Sequence, residues 1–352
     1  MASAGTTAYR QHYYHRRHRY GRTMTDTGTE TDDSDVLVLR HGTEGLSMES
    51  YAEALRERLP GRDVRLARTP GEERDLVPGA RVVTGRDIDE ALIERAERLE
   101  LFACTFAGTD HLPTDALAER GAAVTNAGGI HAPGIAEQAI GQMLTFARRL
   151  DEGWRRKQNH EWRHFQSGEF MDSTVTVIGL GSIGQAVVER LDGFGVETIG
   201  VRYTPEKGGP TDEVLGFETE SIHGALARTD YLVVACPLTE ETRGLVDAEA
   251  FATLPTHAVL VNTARGGIVD TEALMDAIAD NGIRGAALDV TDPEPLPPDH
   301  PLWNFENVLI TPHTGGYTPQ HWPRLADIVA GNLDRLDAGE PLENLVRAPD
   351  RD

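Results

Sequence analysis

Between Ser173 and Leu191 the chain reads STVTVIGLGSIGQAVVERL: an apolar run, then Gly179, Gly181 and Gly184 spaced as Gly-x-Gly-x-x-Gly, then an amphipathic stretch. Glycines at this spacing allow a tight turn and close approach of the backbone, and the helix that follows offers free N–H groups and its positive dipole end to a pyrophosphate. A strand before the turn and a helix after it separate this pattern from an ordinary glycine turn and point to a dinucleotide. At the end of the next strand, where a carboxylate would accept from a ribose 2′-hydroxyl, the chain has Arg202, 18 residues beyond Gly184, in GVRYTPEKGG. A guanidinium cannot accept that bond but pairs well with a phosphate. Tyr203, Thr204 and Lys207 add an aromatic face, a hydroxyl and a second cation. NADP(H) is therefore the expected cofactor, with NAD(H) usable; the plainer alternative is an Arg202 that faces solvent with the acid simply missing.

The elements that must position these residues are short β-branched runs alternating with amphipathic segments. VLVLR (36–40), ARVVTG (80–85), ELFACTF (100–106) and AAVTN (122–126) form one set, and STVTVIG (173–179), VETIGV (196–201), DYLVVAC (230–236), AVLVNT (258–263), GAALDV (285–290) and NVLIT (307–311) a second. Such alternation predicts βαβ units around parallel sheets. A helix over 135–150 follows the breakers Gly128, Gly129, Pro133 and Gly134 and opens the second domain; a last helix, about 319–338, returns to the first. The expected plan is a tail over 1–33, a first segment over 34–131, a dinucleotide domain over 132–314 and a return over 315–347. The tail holds a basic stretch rich in His and Tyr (His12, His15 and His18 included) and a Thr/Asp stretch, with no apolar periodicity. It reads as disordered, or as a start placed upstream of Met24.

Composition narrows the partners. With 34 basic against 57 acidic residues the formal charge is −23, a field that repels phosphate backbones and anionic lipid, so neither nucleic acid nor a membrane is an expected partner. Cys104 and Cys236 are far apart and flanked by apolar residues, which suggests no disulfide framework, no metal site and a reducing cytoplasm. Of the 34 basic residues only Lys157 and Lys207 are lysine. Acid surplus with lysine depletion reads as adaptation to salt, and codon bias toward arginine is the competing explanation.

CPLTEETRGLV (236–246), VNTARGGIVD (261–270), GAALDVTDPEPLP (285–297) and NVLITPHTGG (307–316) follow the glycine motif in order. Together they resemble the D-isomer-specific 2-hydroxyacid dehydrogenase family over roughly 36–345. The resemblance implies two doubly wound α/β domains, a flavodoxin-like substrate domain interrupted by a Rossmann cofactor domain, with a cleft between them and a homodimer built on the cofactor domains. It also implies hydride transfer between a nicotinamide cofactor and a small 2-oxo or 2-hydroxy acid. That chemistry needs a cation for carboxylate and carbonyl, a general acid, and a partner for that acid. Arg265 in TARGG, His313 in TPHTGG and Glu294 in DPEPLP match the three residue by residue. Taken singly they read as a surface cation, a loop histidine and an exposed acid.

By the same resemblance Ser182 and Ile183 approach the pyrophosphate, Pro237 and Leu238 the adenosine, and Thr263, Ala264 and His313 the nicotinamide end. Asp289 reaches the carboxamide, and Gly315 and Gly316 close the pocket. Gly108 and Thr109, in FAGTDHLP, hold the substrate carboxylate through backbone N–H groups. His111, His131 and His321 lie near matched loops and are given no catalytic role, while His300 is given a structural one. Three rivals remain: a formate dehydrogenase, which carries Gln where this chain has Glu294; a phosphoglycerate or glyoxylate-hydroxypyruvate enzyme, although only 39 residues follow His313; and a dinucleotide-sensing corepressor on the same fold.

Overall fold

The structure, a computed structural model, describes residues 33–41 and 46–350. The expected tail lies outside these residues apart from Asp33. The chain builds two sheets. In the first are β1 (Ser34–Val38), β2 (Val64–Leu66), β3 (Ala80–Gly85), β4 (Leu101–Cys104) and β5 (Ala123–Thr125). The second holds β6 (Thr174–Ile178), β7 (Glu197–Val201), β8 (Glu213–Leu215), β9 (Tyr231–Val234), β10 (Val259–Asn262), β11 (Gly285–Leu288) and β12 (Val308–Ile310). A final strand, β13 (Leu345–Arg347), goes back to the first sheet.

The sheet orders are β13-β5-β4-β3-β1-β2 and β12-β11-β10-β9-β6-β7-β8. The first is the flavodoxin-like order with one strand added, and the second is the Rossmann order with one added. Central strands such as β4, β9, β10 and β11 are buried at every residue, as expected where helices cover both faces of a sheet. One detail differs from the all-parallel expectation: β13 pairs antiparallel with β5, Leu345 opposite Thr125. An edge position accepts such a strand because only one side must match.

Two helices carry the chain between the sheets. The crossing helix spans Ala132–Arg148, not 135–150. Pro133 and Gly134, read from sequence as breakers, sit in its first turn, where the missing proline N–H would have had no partner anyway. Gly134 is needed there, since a Cβ would lie 2.8 Å from Gly315 O. Ala136, Ala139, Ile140, Met143 and Phe146 bury against Val177 of β6 and against Val187 and Leu191 of the helix that follows β6. The return helix spans His321–Ala338, starting two residues later than expected. Its stripe Trp322, Leu325, Val329 and Leu333 joins Tyr51, Leu55 and Val82 in the core of the first sheet, and Trp322 stacks on Tyr51 at 4.7 Å. Both ends of the described chain thus belong to the first sheet, with the second inserted between them. No helix of the described residues is long and apolar enough to cross a membrane.

Candidate active site

The strand order of the second sheet reverses between β6 and β9, and the loops leaving these two strands open the crevice in which such sheets bind ligands. Gly179 ends β6 with φ +100°, and a Cβ there would lie 2.6 Å from Cys236 N in the loop after β9. At Gly184 a Cβ would fall 1.9 Å from Gly179 O. Gly181, between them, would meet nothing within 4 Å. Two glycines thus tighten the turn and the third leaves open space in front of it. Gly181 is also the N-cap of the helix Ser182–Leu191 and offers no side chain to its first N–H groups. An anion fits this place on both counts.

Beside the turn lies a cleft of about 850 Å³, lined among others by Gly108, His131, Ile183, Leu238, Arg265 and His313. Arg265 follows β10 on an extended residue with φ −145°. Its Nη1 donates to Ala264 O at 2.7 Å. Buried Asn262 shapes this turn, donating from Nδ2 to Arg265 O and accepting at Oδ1 from Ala264 N. Gly266 comes so near the next loop that a Cβ would lie 2.1 Å from Thr291, and that loop carries Glu294.

His313 follows β12 with φ 52°, a left-handed conformation that histidine adopts more readily than most residues. Its N–H donates to Asp289 O at 2.8 Å. Its Nδ1 lies 2.6 Å from Glu294 Oε1, the side chains being 49 % and 41 % exposed. This contact fixes the proton on Nδ1 and leaves Nε2 for chemistry. The turn itself hangs on Asp289, which is buried. Asp289 Oδ1 accepts from Thr311 Oγ1 and Gln138 Nε2, both at 2.6 Å, and from Thr314 N at 3.1 Å, while Oδ2 accepts from Gly315 N at 2.9 Å. Both oxygens are engaged by the chain itself, a use the resemblance did not imply.

From the first sheet comes the loop after β4. Ala127 N donates to Phe106 O and Asn126 Nδ2 to Ala107 O, and the N–H groups of Gly108 and Thr109 find no acceptor among the described residues. Ile183, Pro237, Leu238, Thr263, Ala264 and Gly316 line the same cleft, while Gly179, Gly181 and Gly184 adjoin it through Ile183 without lining it. Arg202, Tyr203, Thr204 and Lys207 stand apart, beyond the tip of β7, and do not line the cleft. Arg202 Nη1 donates to Gly208 O at 2.6 Å, closing that loop on itself, and Tyr203 stacks on Phe217 with ring centroids 4.2 Å apart.

Residues 140–315 match the sequence pattern described as D-isomer specific 2-hydroxyacid dehydrogenase, NAD binding domain. A glyoxylate reductase of Thermofilum pendens is 34 % identical over 266 residues, covering 74 % of this chain and 78 % of that protein. The chain belongs to the D-isomer-specific 2-hydroxyacid dehydrogenases. Another member, a D-3-phosphoglycerate dehydrogenase of Methanocaldococcus jannaschii, is 36 % identical over 76 % of this chain but only 51 % of its own length; the chain spans about half the length of the curated phosphoglycerate dehydrogenases it matches. Among solved dehydrogenases of the family, one from Xanthobacter autotrophicus superposes with a TM-score of 0.71 at 30 % identity, covering 89 % of this chain and 98 % of that one.

Several residues of the site and its support went unread in the sequence. Gln138 and Gln142 lie four apart on the apolar face of the crossing helix, behind the cleft, and both reach Thr311 Oγ1, at 2.9 and 3.5 Å. Two glutamines in an Ala/Ile/Met stripe were the available signal. Phe106, Asp110, Ile135, Cys236 and Tyr317 line the cleft itself. Of the other histidines, His111 contacts Arg86 O at 2.9 Å, and His300 Nδ1 accepts from Leu302 N at 3.2 Å as a helix cap. His131 and His321, 190 residues apart, touch each other inside the cleft.

Proposed function

We propose that this chain is an NADPH-preferring reductase of small 2-oxo acids, yielding D-2-hydroxy acids reversibly, with Arg265, His313 and Glu294 as the reacting machinery. The observation that carries this reading is the 2.6 Å contact between His313 and Glu294 at the rim of a cleft that Arg265 also lines. Bound at the glycine turn, a nicotinamide dinucleotide supplies the hydride chemistry. Ser182 and Ile183 serve its pyrophosphate, Pro237 and Leu238 its adenosine, and Thr263, Ala264 and Asp289 its nicotinamide end, with Gly315 and Gly316 closing over it. Gly108 and Thr109 donate backbone N–H bonds to the substrate carboxylate, and Arg265 holds carboxylate and carbonyl oxygen together. His313 Nε2 gives its proton to that oxygen as negative charge develops there, and the Glu294 carboxylate favours the imidazolium that donates it. Steady-state turnover of a panel of 2-oxo acids with NADPH and NADH tests the reading; dinucleotide binding without turnover of any of them would show a sensor rather than an enzyme.

The NADPH preference rests on the sequence position of Arg202, just past β7 where an acid would read the ribose, with Lys207 close by in the loop. Solved neighbours carry either dinucleotide, NADPH or NADP in those from Xanthobacter autotrophicus and Sinorhizobium meliloti and NAD in one from Lactobacillus delbrueckii, so the preference stays with Arg202. In Arg202→Asp the KM for NADPH should rise and the kcat/KM ratio of NADH to NADPH should increase at least about tenfold, since one charge-assisted pair is worth about 1.5–3 kcal/mol. An unchanged ratio would separate Arg202 from cofactor choice.

Salt adaptation is part of the same proposal. The charged surface is tied by arginine rather than lysine, as where Arg81 pairs with Glu100 and Asp337, and Arg62 with Asp35 and Asp337. Self-repulsion from a net −23 is screened in molar salt, where the Debye length is about 3 Å. Tm and activity should climb from dilute buffer to molar KCl; a flat or falling Tm would favour codon bias.

We further propose a homodimer in a reducing cytoplasm, the latter in keeping with two buried free thiols. The arm that follows the crossing helix exposes Leu150, Trp154 and Trp162, the last at 96 %, and exposed large apolar side chains of this kind mark an interaction surface. Sedimentation equilibrium should give a dimer for the native chain and a monomer for Trp154→Asp combined with Trp162→Asp; equal masses would place the interface elsewhere.

A further inference from the structure

Between the crossing helix and the turn that carries His313 lies a knot of hydrogen bonds that the reaction as derived leaves without a role. Gln138 stands one turn after Ile135 in that helix; Ile135 lines the cleft, and Gln138 lies behind it. Its Nε2 is 2.6 Å from Asp289 Oδ1 and 2.9 Å from Thr311 Oγ1. A carboxylate only accepts, so the amide must turn its nitrogen this way, and its two hydrogens go one to each neighbour. Thr311 Oγ1 passes its own hydrogen on to Asp289 Oδ1 at 2.6 Å. Gln142, one turn further along, reaches the same hydroxyl only at 3.5 Å and is no partner of Asp289 among the described residues, so it cannot stand in for Gln138.

What the knot holds is the backbone around His313. Asp289 takes the His313 N–H on its main-chain oxygen at 2.8 Å, the Thr314 N–H on Oδ1 at 3.1 Å and the Gly315 N–H on Oδ2 at 2.9 Å. Three consecutive N–H groups thus converge on one residue. His313 itself sits at φ 52°, a left-handed conformation that costs an L-residue free energy and persists where the surroundings impose it. The space behind the turn is closed: a Cβ on Gly315 would lie 2.9 Å from Asp289 Oδ2 and 3.5 Å from Gln138 Cδ. Among the described residues, Gln138 alone of the groups bonded to this carboxylate comes from outside the loops that follow β11 and β12.

We propose that Gln138 is a positioning residue for the acid/base step: by fixing the Asp289 carboxylate and the Thr311 hydroxyl, it holds the 311–315 turn in the conformation that aims His313 Nε2 at the substrate oxygen. The proposal rests on the reductase reading above. Gln138 does not line the cleft and acts through His313. Without its two N–H groups the carboxylate and the hydroxyl are free to rotate, the Thr314 and Gly315 N–H groups follow, and His313 relaxes from its left-handed backbone. A displacement of about 1 Å at a reacting group is enough to cost about 10²-fold in rate.

The test replaces Gln138 by methionine, which keeps the length of the side chain and removes its donors. For a 2-oxo acid that the native chain reduces, kcat is measured with saturating NADPH or NADH, whichever the native chain uses better. It is expressed per cofactor-binding site, counted by fluorescence titration of the same sample. In Gln138→Met it should fall by about 10- to 10²-fold, with cofactor affinity within about threefold of native. Thr311→Val, which breaks the knot from the other side with little change of shape, should do the same. A merely structural role would lower the number of sites and leave kcat per site in place. In a His313→Ala background, with no ring left to aim, Gln138→Met should lower kcat no further. Native kcat per site in either folded variant, an effect that multiplies with that of His313→Ala, or weakened cofactor affinity with kcat intact overturns the proposal and leaves the reductase standing. A native chain that reduces no 2-oxo acid with either cofactor instead overturns the reductase reading, and this positioning role with it.

Discussion

His313→Ala is expected to lower kcat for 2-oxo acid reduction by about 10² to 10⁴, the usual worth of a positioned acid/base, with a much smaller change in NADPH affinity read by fluorescence titration. The split follows from geometry: the glycine turn that receives the pyrophosphate is built from residues 179–184 and owes nothing to His313. Glu294→Gln sharpens the test. The amide keeps the hydrogen bond to Nδ1 but removes the negative charge opposite the donating imidazolium, so kcat should fall by about 10- to 100-fold with NADPH affinity little changed. A native kcat in His313→Ala or in Glu294→Gln would detach the pair from proton transfer even though it is joined at 2.6 Å.

Arg265→Ala should be nearly as damaging, but in a different pattern. The guanidinium serves the ground-state carboxylate and the developing oxyanion at once, so KM should rise while kcat falls by about 10² to 10³, the scale seen when one oxyanion donor is removed. Because the Arg265 guanidinium donates only to its neighbour Ala264 among the described residues, and its turn is held by Asn262 rather than by its own side chain, Tm should scarcely move. A change confined to KM would make Arg265 a binding residue alone; a large fall in Tm would make it structural.

How far the sequence was legible depends on whether an element announces itself locally. β3, in ARVVTG, reads directly because six consecutive residues fit a strand buried on both faces. β2, β8 and β13 do not. Each is a three-residue strand, VRL, EVL and LVR, formed because a neighbouring strand has backbone groups to offer and not because of its own pattern. The crossing helix misled for the opposite reason, since Pro133 and Gly134 look like breakers until the close approach of Gly315 explains them. Arg265, Glu294 and His313 were legible because each sits in a short motif beside a strand end. The bonds from Gln138 and Thr311 to Asp289 were not, since they join three elements that only the folded chain brings together. The same holds for His131 and His321, whose meeting depends on both crossings at once.

The insertion of one sheet within the other has a consequence for the order in which a growing chain can assemble. Everything that β6 to β12 require is complete by about residue 310, and the crossing helix that covers them has emerged long before. The earlier sheet must wait. Tyr51, Leu55 and Val82 are sealed by Trp322, Leu325 and Val329, and β5 gains its last neighbour only with Leu345–Arg347. During synthesis at about 5–20 residues per second, the half that begins translation first is thus the half that closes last, with an apolar face uncovered for many seconds. That face is where a nascent-chain chaperone would be expected to bind.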